Sequence, residues 1–134
     1  MLFELITMEQ ITNEIILNLI REGRANLHSS HAKLSIPIIN RIYRKMINDI
    51  KFDDIKICDH LIIDGHHRYI SSLLANIKLG SVPSYRTLAT LEYEWTDVEF
   101  VDEEWDTKSK IKFLNKLDAD FNNIPFNKII EITK

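Results

Sequence analysis

The sequence is poor in cysteine, in basic charge and in long apolar runs. Cys58 is the only cysteine, so an intrachain disulfide is impossible and a cysteine-based zinc site is not expected. The formal net charge is −3 and the pI about 5.9, which argue against a dedicated nucleic-acid binder and make duplex DNA an unexpected partner. No apolar run could span a bilayer, so we expect no membrane partner. The N-terminus lacks a basic segment followed by an apolar one, so we expect a cytoplasmic protein, although delivery as an effector would leave no trace in this sequence.

What is present is the composition of an ordinary globular protein. With 134 residues, 45% of them hydrophobic and 28% charged, the chain is long enough for one core, and we expect a single domain over residues 1–134. The charge is unevenly placed. Positive residues gather between Arg21 and Lys45, whereas the stretch from Glu92 to Asp106 holds eight carboxylates and no lysine or arginine. We find no internal repeat and no linker.

Apolar periodicity and turn residues predict alternating helices and strands over the first 90 residues, and therefore an α/β domain. The predicted elements are a strand at 2–6, a helix at 8–21 capped by Thr7, a polar loop at 24–34, a helix starting at Ser35 and Pro37, strands at 55–57 and 61–63 joined by a turn, a helix from 66 that ends at Gly80, and extended chain at 82–85.

The remaining segment alternates acidic and aromatic residues before it becomes helical. We predict a strand or irregular cover between 93 and 105, with Trp95 and Trp105 as packing anchors, and a helix capped by Asp106 or Thr107. The tail over 126–132 fits either a strand or a short helix. The acidic stretch at 92–106 is either a solvated face or a docking patch for a basic protein partner.

The run from Asp64 to Arg68 is the most informative part of the chain. An apolar strand ends on Asp64-Gly65, and His66, His67 and Arg68 follow on the first turn of an amphipathic helix. Helix N-termini present unpaired N–H groups and a positive dipole end, and they therefore attract anions. Imidazole and guanidinium groups add donors that suit phosphate oxygens. The sequence therefore predicts a phosphate site at this turn.

Each residue of the turn has a functional and a structural interpretation. Asp64 either holds Mg²⁺ or serves as a base toward a hydroxyl group, or it caps the helix through an Asx turn. Gly65 lets the backbone approach a phosphate closely. Because His66 and His67 point about 100° apart on a helix, one of them is expected to face the anion as a donor or general acid while the other packs. Arg68 is either a phosphate clamp or part of a surface salt bridge.

Other polar side chains are weaker candidates. A zinc site formed by His60 and the two histidines of the turn fits no common ligand spacing and is not expected. His28 and His31 lie in the polar loop, where they either line the pocket mouth or are solvated. The positive residues of the second helix either add potential toward a nucleotide or form a solvated face; these are Arg41, Arg44 and Lys45.

The order of elements and the D-G-H-H-R run resemble the ParB/sulfiredoxin superfamily, in particular its ParB-like nuclease and free serine kinase-like branch. The resemblance covers about residues 2–90, is closest over 61–83, and owes its specificity to 64–68. It implies a small fold with a mixed sheet and packed helices, whose signature turn holds nucleotide phosphates. Residues 91–134 match no motif of the family, and we expect them to form an extension packed on the same core.

The resemblance also implies a class of chemistry. Partition ParB proteins handle CTP, sulfiredoxin uses ATP and a catalytic cysteine, and the free serine kinases bind an adenine nucleotide. Here His66 occupies the cysteine position, so sulfinic-acid repair is not expected, and no helix-turn-helix follows, so a partition role is not expected. ATP or ADP is the expected nucleotide, CTP the alternative, and Mg²⁺ the expected ion. Related kinases take a catalytic carboxylate from the first helix region, where the chain offers Glu14 or Glu22.

Three functional hypotheses follow. The first is a nucleotide-binding enzyme that transfers a phosphoryl group to an unknown small acceptor or hydrolyses the nucleotide, with Asp64, His66, His67 and Glu14 as catalytic candidates. The second is a toxin-type nuclease or a nucleotide-depleting effector domain. The third is a non-enzymatic nucleotide-sensing or partner-binding module, such as an immunity protein.

Overall fold

A computed structural model describes residues 10–134, so the strand predicted at 2–6 and the cap predicted at Thr7 lie outside the described residues. Within this range the chain has a mixed α/β fold. A 3₁₀ turn, Trp95–Asp97, precedes the last strand. The elements in chain order are α1 (Asn13–Arg21), β1 (Lys33–Ser35), α2 (Ile36–Met46), β2 (Ile55–Cys58), β3 (Leu61–Asp64), α3 (His66–Ala75), β4 (Ser81–Pro83), β5 (Glu99–Val101), α4 (Lys108–Asn122) and α5 (Phe126–Ile132).

The strands form two small sheets. In the larger one, β2 is central, pairs antiparallel with β3 and parallel with β4, so the predicted mixed sheet is present. The smaller sheet pairs β1 with β5 in parallel. The loop before β1 joins the first sheet through a bridge between His28 and Leu61. This bridge brings the polar loop alongside β3, the strand that leads into the 64–68 turn.

Side-chain caps fix where three helices begin. The hydroxyl groups of Thr12, Ser35 and Thr107 accept the backbone N–H three residues later, at the starts of α1, α2 and α4. The caps at Ser35 and Thr107 confirm the predicted starts. The prediction that the first helix begins at Met8 is wrong, because residues 10–12 are not helical and Thr12 provides the cap.

Two further boundaries differ from the predictions. The segment predicted as a loop at 24–34 already contains the beginning of β1. The helix predicted to end at Gly80 ends at Asn76 instead, whose φ of 57° provides the left-handed turn that stops α3. A Cβ at Gly80 would meet the carboxylate of Asp54, whose exposed side chain can turn away. The tail, left open between strand and helix, forms α5.

The apolar side chains form two clusters. The main core joins α1, α2, α3 and the sheets, with Ile16, Ile39, Ile62 and Ile70 fully buried. Residues 95–100 join this core, whereas α4 and α5 pack with Ile50 in a separate cluster. None of the helices between residues 10 and 134 has the length and apolar content needed to cross a bilayer.

Candidate functional site

A cleft of about 780 Å³ opens at the start of α3. Its polar side includes the whole 64–68 turn, and His31 from the preceding loop lies beside it. Its apolar side comes from α2, from Phe52 and from α4. Since α4 belongs to the extension that matches no family motif, the structure adds a wall that the sequence analysis did not anticipate. The volume lies within the usual range of small-molecule sites, about 300–1,000 Å³.

The first turn of α3 is open to this cleft. Gly65 is the N-cap residue, with φ +100° and ψ 27°, and no side chain caps the helix. Asp64 therefore does not cap α3, which corrects the structural interpretation of that residue. Its side chain is 65% exposed and lies 3.5 Å from the Arg68 guanidinium. The first-turn N–H groups and the positive end of the helix dipole are thus available to an anion.

His66 is almost completely buried, with 2% of its surface exposed. Its Nε2 accepts a hydrogen bond from the Ser30 N–H at 3.0 Å, and its ring stacks on that of His31 at 3.9 Å. An accepting Nε2 places the proton of the neutral ring on Nδ1. This Nδ1 is buried and has no hydrogen-bond partner among the described residues. His66 therefore holds a buried donor beside the cleft.

His67 connects the same turn to the beginning of α2. Its Nε2 accepts the Ser35 N–H at 3.0 Å, so this ring too carries its proton on Nδ1. The ring meets Trp105 edge to face at 5.5 Å. The two adjacent histidines thus face different partners, and both fasten α3 to the 28–35 segment through backbone hydrogen bonds.

Both imidazoles are held neutral. Burial, with the nearby His31 and His67, lowers the pKa of His66 to about 3, against a weaker opposing effect of the Ile62 carbonyl. Burial also lowers the pKa of His67 to about 4, where the effects of His31 and Arg41 add to it and Asp106 opposes them. At neutral pH the two rings can therefore donate from Nδ1 but cannot act as imidazolium acids.

Arg68 is anchored rather than free. One terminal nitrogen donates to the Asp53 carbonyl at 3.1 Å and lies 3.4 Å from the Asp54 carbonyl. The other lies beside Asp64. The guanidinium therefore braces the loop before β2 against the α3 turn, and it is 79% buried while doing so. This position keeps a fixed positive charge at the edge of the cleft.

Lys45, one of the three positive residues considered above on the second helix, lines the cleft. Its side chain is only 5% exposed and donates to the Asp118 carboxylate at 2.6 Å. An ammonium group has three donors, and among residues 10–134 Asp118 is its one acceptor. Of the two interpretations given for Lys45, the solvated helix face is therefore wrong. No periodicity could reveal this, because the burial comes from α4 packing across α2.

The apolar wall of the cleft has a sequence pattern that can be recognised in retrospect. Leu114, Leu117 and Phe121 recur at helical spacing along α4, and they face Ile38 and Ile42 of α2 across the cleft. Leu117 is 47% exposed and Phe121 59% exposed. The wall therefore keeps accessible apolar surface next to the polar turn.

Four of the eight carboxylates of the acidic segment, Glu92, Glu99, Glu104 and Asp106, form ion pairs within the described residues. Arg41 forms ion pairs with Glu104 and with Asp106, and Asp106 also meets Lys110 at 3.2 Å. At the other end of the segment, the hydrogen bond from His28 lowers the pKa of Glu92. Trp95 is buried as predicted.

Trp105 departs from its predicted role: it is 42% exposed and lines the cleft instead of anchoring the core.

Several predicted candidates lie apart from the cleft. Glu14 is exposed on α1 and is not among the residues that line it, and Glu22 caps the other end of the same helix. His60 is exposed in the turn between β2 and β3. No group of three or more histidine, cysteine or carboxylate side chains within residues 10–134 is arranged to hold a metal ion. The polar turn, Lys45 and the α4 wall are what the fold brings together.

A scan against protein-family models gives no match for this chain, and searches of curated proteins and of solved structures give none either. The resemblance to the ParB/sulfiredoxin superfamily therefore stays a prediction from the sequence.

Proposed function

We propose that the chain is a nucleotide-binding enzyme that handles phosphoryl groups at the 64–68 turn, by ATP- or ADP-dependent transfer or by nucleotide hydrolysis. One observation carries the proposal: the uncapped start of α3 opens into a cleft with two buried, incompletely paired donors. These donors are the Nδ1–H of His66 and the ammonium group of Lys45. A buried donor without an acceptor is costly, and Lys45 has one acceptor for three donors, so phosphate oxygens would supply further acceptors.

The shape of the cleft supports a ligand with one polar and one apolar end. The phosphates would lie against the first turn of α3, where the dipole and the backbone N–H groups favour an anion. The base and ribose would lie along Leu114, Leu117 and Phe121. A free phosphate would leave this apolar wall exposed to water, so the wall favours a nucleotide over an inorganic anion.

The charge around the cleft supports a need for Mg²⁺. Three cations line it, Lys45, Arg68 and Lys110, against four carboxylates, Asp53, Asp64, Asp106 and Asp118. A bound triphosphate therefore needs further neutralisation, which Mg²⁺ would supply together with polarisation of the phosphoryl group. Mg²⁺ usually binds through one or two carboxylates and the substrate phosphates, so the absence of a three-ligand cluster among the described residues is compatible with it. The exposed Asp64 is the carboxylate we assign to the ion.

The remaining roles follow from protonation state. His66 and His67 hold the turn through Nε2 and donate from Nδ1, so they would bind and orient phosphate oxygens rather than exchange protons. A hydroxyl acceptor needs a carboxylate base. We do not assign this role to Glu14, because Glu14 does not line the cleft.

Calorimetric titration with ATP, ADP and CTP, with and without Mg²⁺, tests the proposal. We expect saturable binding that strengthens with Mg²⁺. Lys45→Met should weaken it by about tenfold or more, because a hydrogen bond to a charged group contributes about 1.5–3 kcal/mol. Lys128→Met, on α5 and outside the cleft, is the matched control and should bind like the wild type. Equal affinity of Lys45→Met and wild type, or no binding by the wild type, would contradict the proposal.

A nucleotide-sensing module is the second candidate, favoured by one observation. Both Nε2 atoms accept backbone hydrogen bonds, so neither imidazole can take a proton there without releasing the 28–35 segment. Phosphorus NMR of ATP and Mg²⁺ with the protein separates the two candidates. Slow release of ADP above the protein-free rate supports an enzyme, whereas binding with unchanged nucleotide supports a sensor.

A further inference from the structure

A second groove lies between α4 and α5, away from the 64–68 turn. Its volume is about 350 Å³. One side is apolar, formed by Ile111, Phe126 and Ile130. The other side carries Asn115 and two lysines of α4. The groove therefore has an apolar floor, an amide and positive charge within one small site.

Asn115 is unusual for a residue at a helix–helix contact. It is 3% exposed, and its Oδ1 is buried without a hydrogen-bond partner among the described residues. Leaving such an acceptor unpaired costs about 1–3 kcal/mol, and a leucine of similar size would avoid this cost. The neighbouring α4–α5 cluster is apolar, so packing alone does not explain an amide at this position. A ligand that donates to Oδ1 does.

Two lysines make one side of the groove positively charged. Lys108 and Lys112 are four residues apart on α4 and so lie on one face of the helix. Neither forms an ion pair with another residue between 10 and 134. Lys108 is the first residue of α4, where the helix dipole disfavours positive charge, so an anion beside it would be stabilising.

We propose that this groove binds a small carboxylate that carries an amide and an apolar chain, that is, an N-acyl amino acid. The apolar chain lies on Ile111, Phe126 and Ile130. The amide N–H donates to the Oδ1 of Asn115. The carboxylate lies between Lys108 and Lys112, which are two turns and one turn of α4 before Asn115. Each part of this ligand meets a feature of the groove that the fold alone leaves unexplained.

The test uses N-octanoylglycine as the probe in a ¹H–¹⁵N NMR titration of the whole chain. Two analogues are run beside it: octanoic acid, which lacks the amide, and N-octanoylglycinamide, which lacks the carboxylate. We expect saturable shifts of the Asn115 side-chain amide with N-octanoylglycine. Each analogue should bind at least about fivefold more weakly, because each loses one hydrogen bond or ion pair of about 1 kcal/mol.

Variants separate a ligand role from a structural one. Asn115→Leu should raise the free energy of unfolding and should make the probe bind no better than octanoic acid. Reversing both charges, with Lys108→Glu and Lys112→Glu, should abolish binding of the probe. Lys128→Glu on α5 should leave the affinity for the probe unchanged. No saturable shift in the wild type at millimolar probe would overturn the proposal. A stabilised Asn115→Leu variant that binds the probe as the wild type does would also overturn it. If a variant fails to fold, the comparison of the three ligands on the wild type still decides.

Discussion

Lowering the pH from 7 to 4 should remove most of the stability of this protein. Burial holds the pKa of His66 at about 3 and that of His67 at about 4, against 6.5 for a free imidazole. In the unfolded chain, His66 and His67 therefore each bind a proton near pH 6.5. In the folded protein they bind it only at much lower pH. Below pH 6.5 each histidine lowers the free energy of unfolding by about 1.4 kcal/mol per pH unit. Domains of this kind have about 5–15 kcal/mol in total.

Urea unfolding followed by circular dichroism at pH 7, 6 and 5 measures this dependence. Between pH 6 and pH 5 the slope of the free energy of unfolding against pH should approach the value expected when unfolding takes up two protons. His67→Gln should reduce it by about half. His60→Gln is the control, because His60 is exposed in the turn between β2 and β3, and it should leave the slope unchanged. A flat profile from pH 7 to pH 5 would show that the two rings titrate as free histidines do.

Gly65→Ala should destabilise the protein by about 3 kcal/mol and abolish nucleotide binding. Gly65 has φ +100°, a conformation that residues with a side chain rarely adopt. A Cβ there would lie 2.5 Å from Cγ2 of Ile55 and 2.9 Å from the Arg68 guanidinium. Ile55 is 2% exposed and cannot move away without disturbing the core. The substitution therefore forces the 64–68 turn itself to shift.

Gly23 provides the matched comparison. It too has a positive φ, of 73°, but a Cβ there would meet nothing within 4 Å. Gly23→Ala should therefore lose only the conformational part, about 1 kcal/mol, and should keep nucleotide binding. Thermal unfolding and calorimetry on the two variants measure both effects. Equal losses in the two variants would mean that the crowding at the 64–68 turn has no energetic consequence.

Local patterns were enough to predict the elements around the turn. The cap at Ser35, the strand at 55–57, the turn at 59–60 and the extended chain at 82–83 are confirmed, because each depends on residues close together in sequence. The error at Gly80 has a different origin. Asn76 had already ended α3 in a left-handed conformation, four residues before Gly80.

The sequence predicted half of the candidate site. The turn at 64–68 could be found because strand, glycine and helix adjoin in the chain. The burial of Lys45 against Asp118 and the apolar wall of α4 could not be predicted, because these residues meet only when α4 packs across α2, more than 70 residues apart in sequence. The pairing of Asp106, in the acidic stretch, with Arg41 could not be predicted either, because the two residues are 65 positions apart in sequence.

The central claim is that phosphate binds at the start of α3. A ¹H–¹⁵N NMR titration with ATP and Mg²⁺ tests it most directly, because a phosphate oxygen that accepts from a backbone N–H shifts that amide downfield. The account predicts saturable downfield shifts of the backbone amides of His66, His67 and Arg68, and the same pattern with tripolyphosphate. Unchanged amides at 66–68, with shifts elsewhere or none, would contradict it.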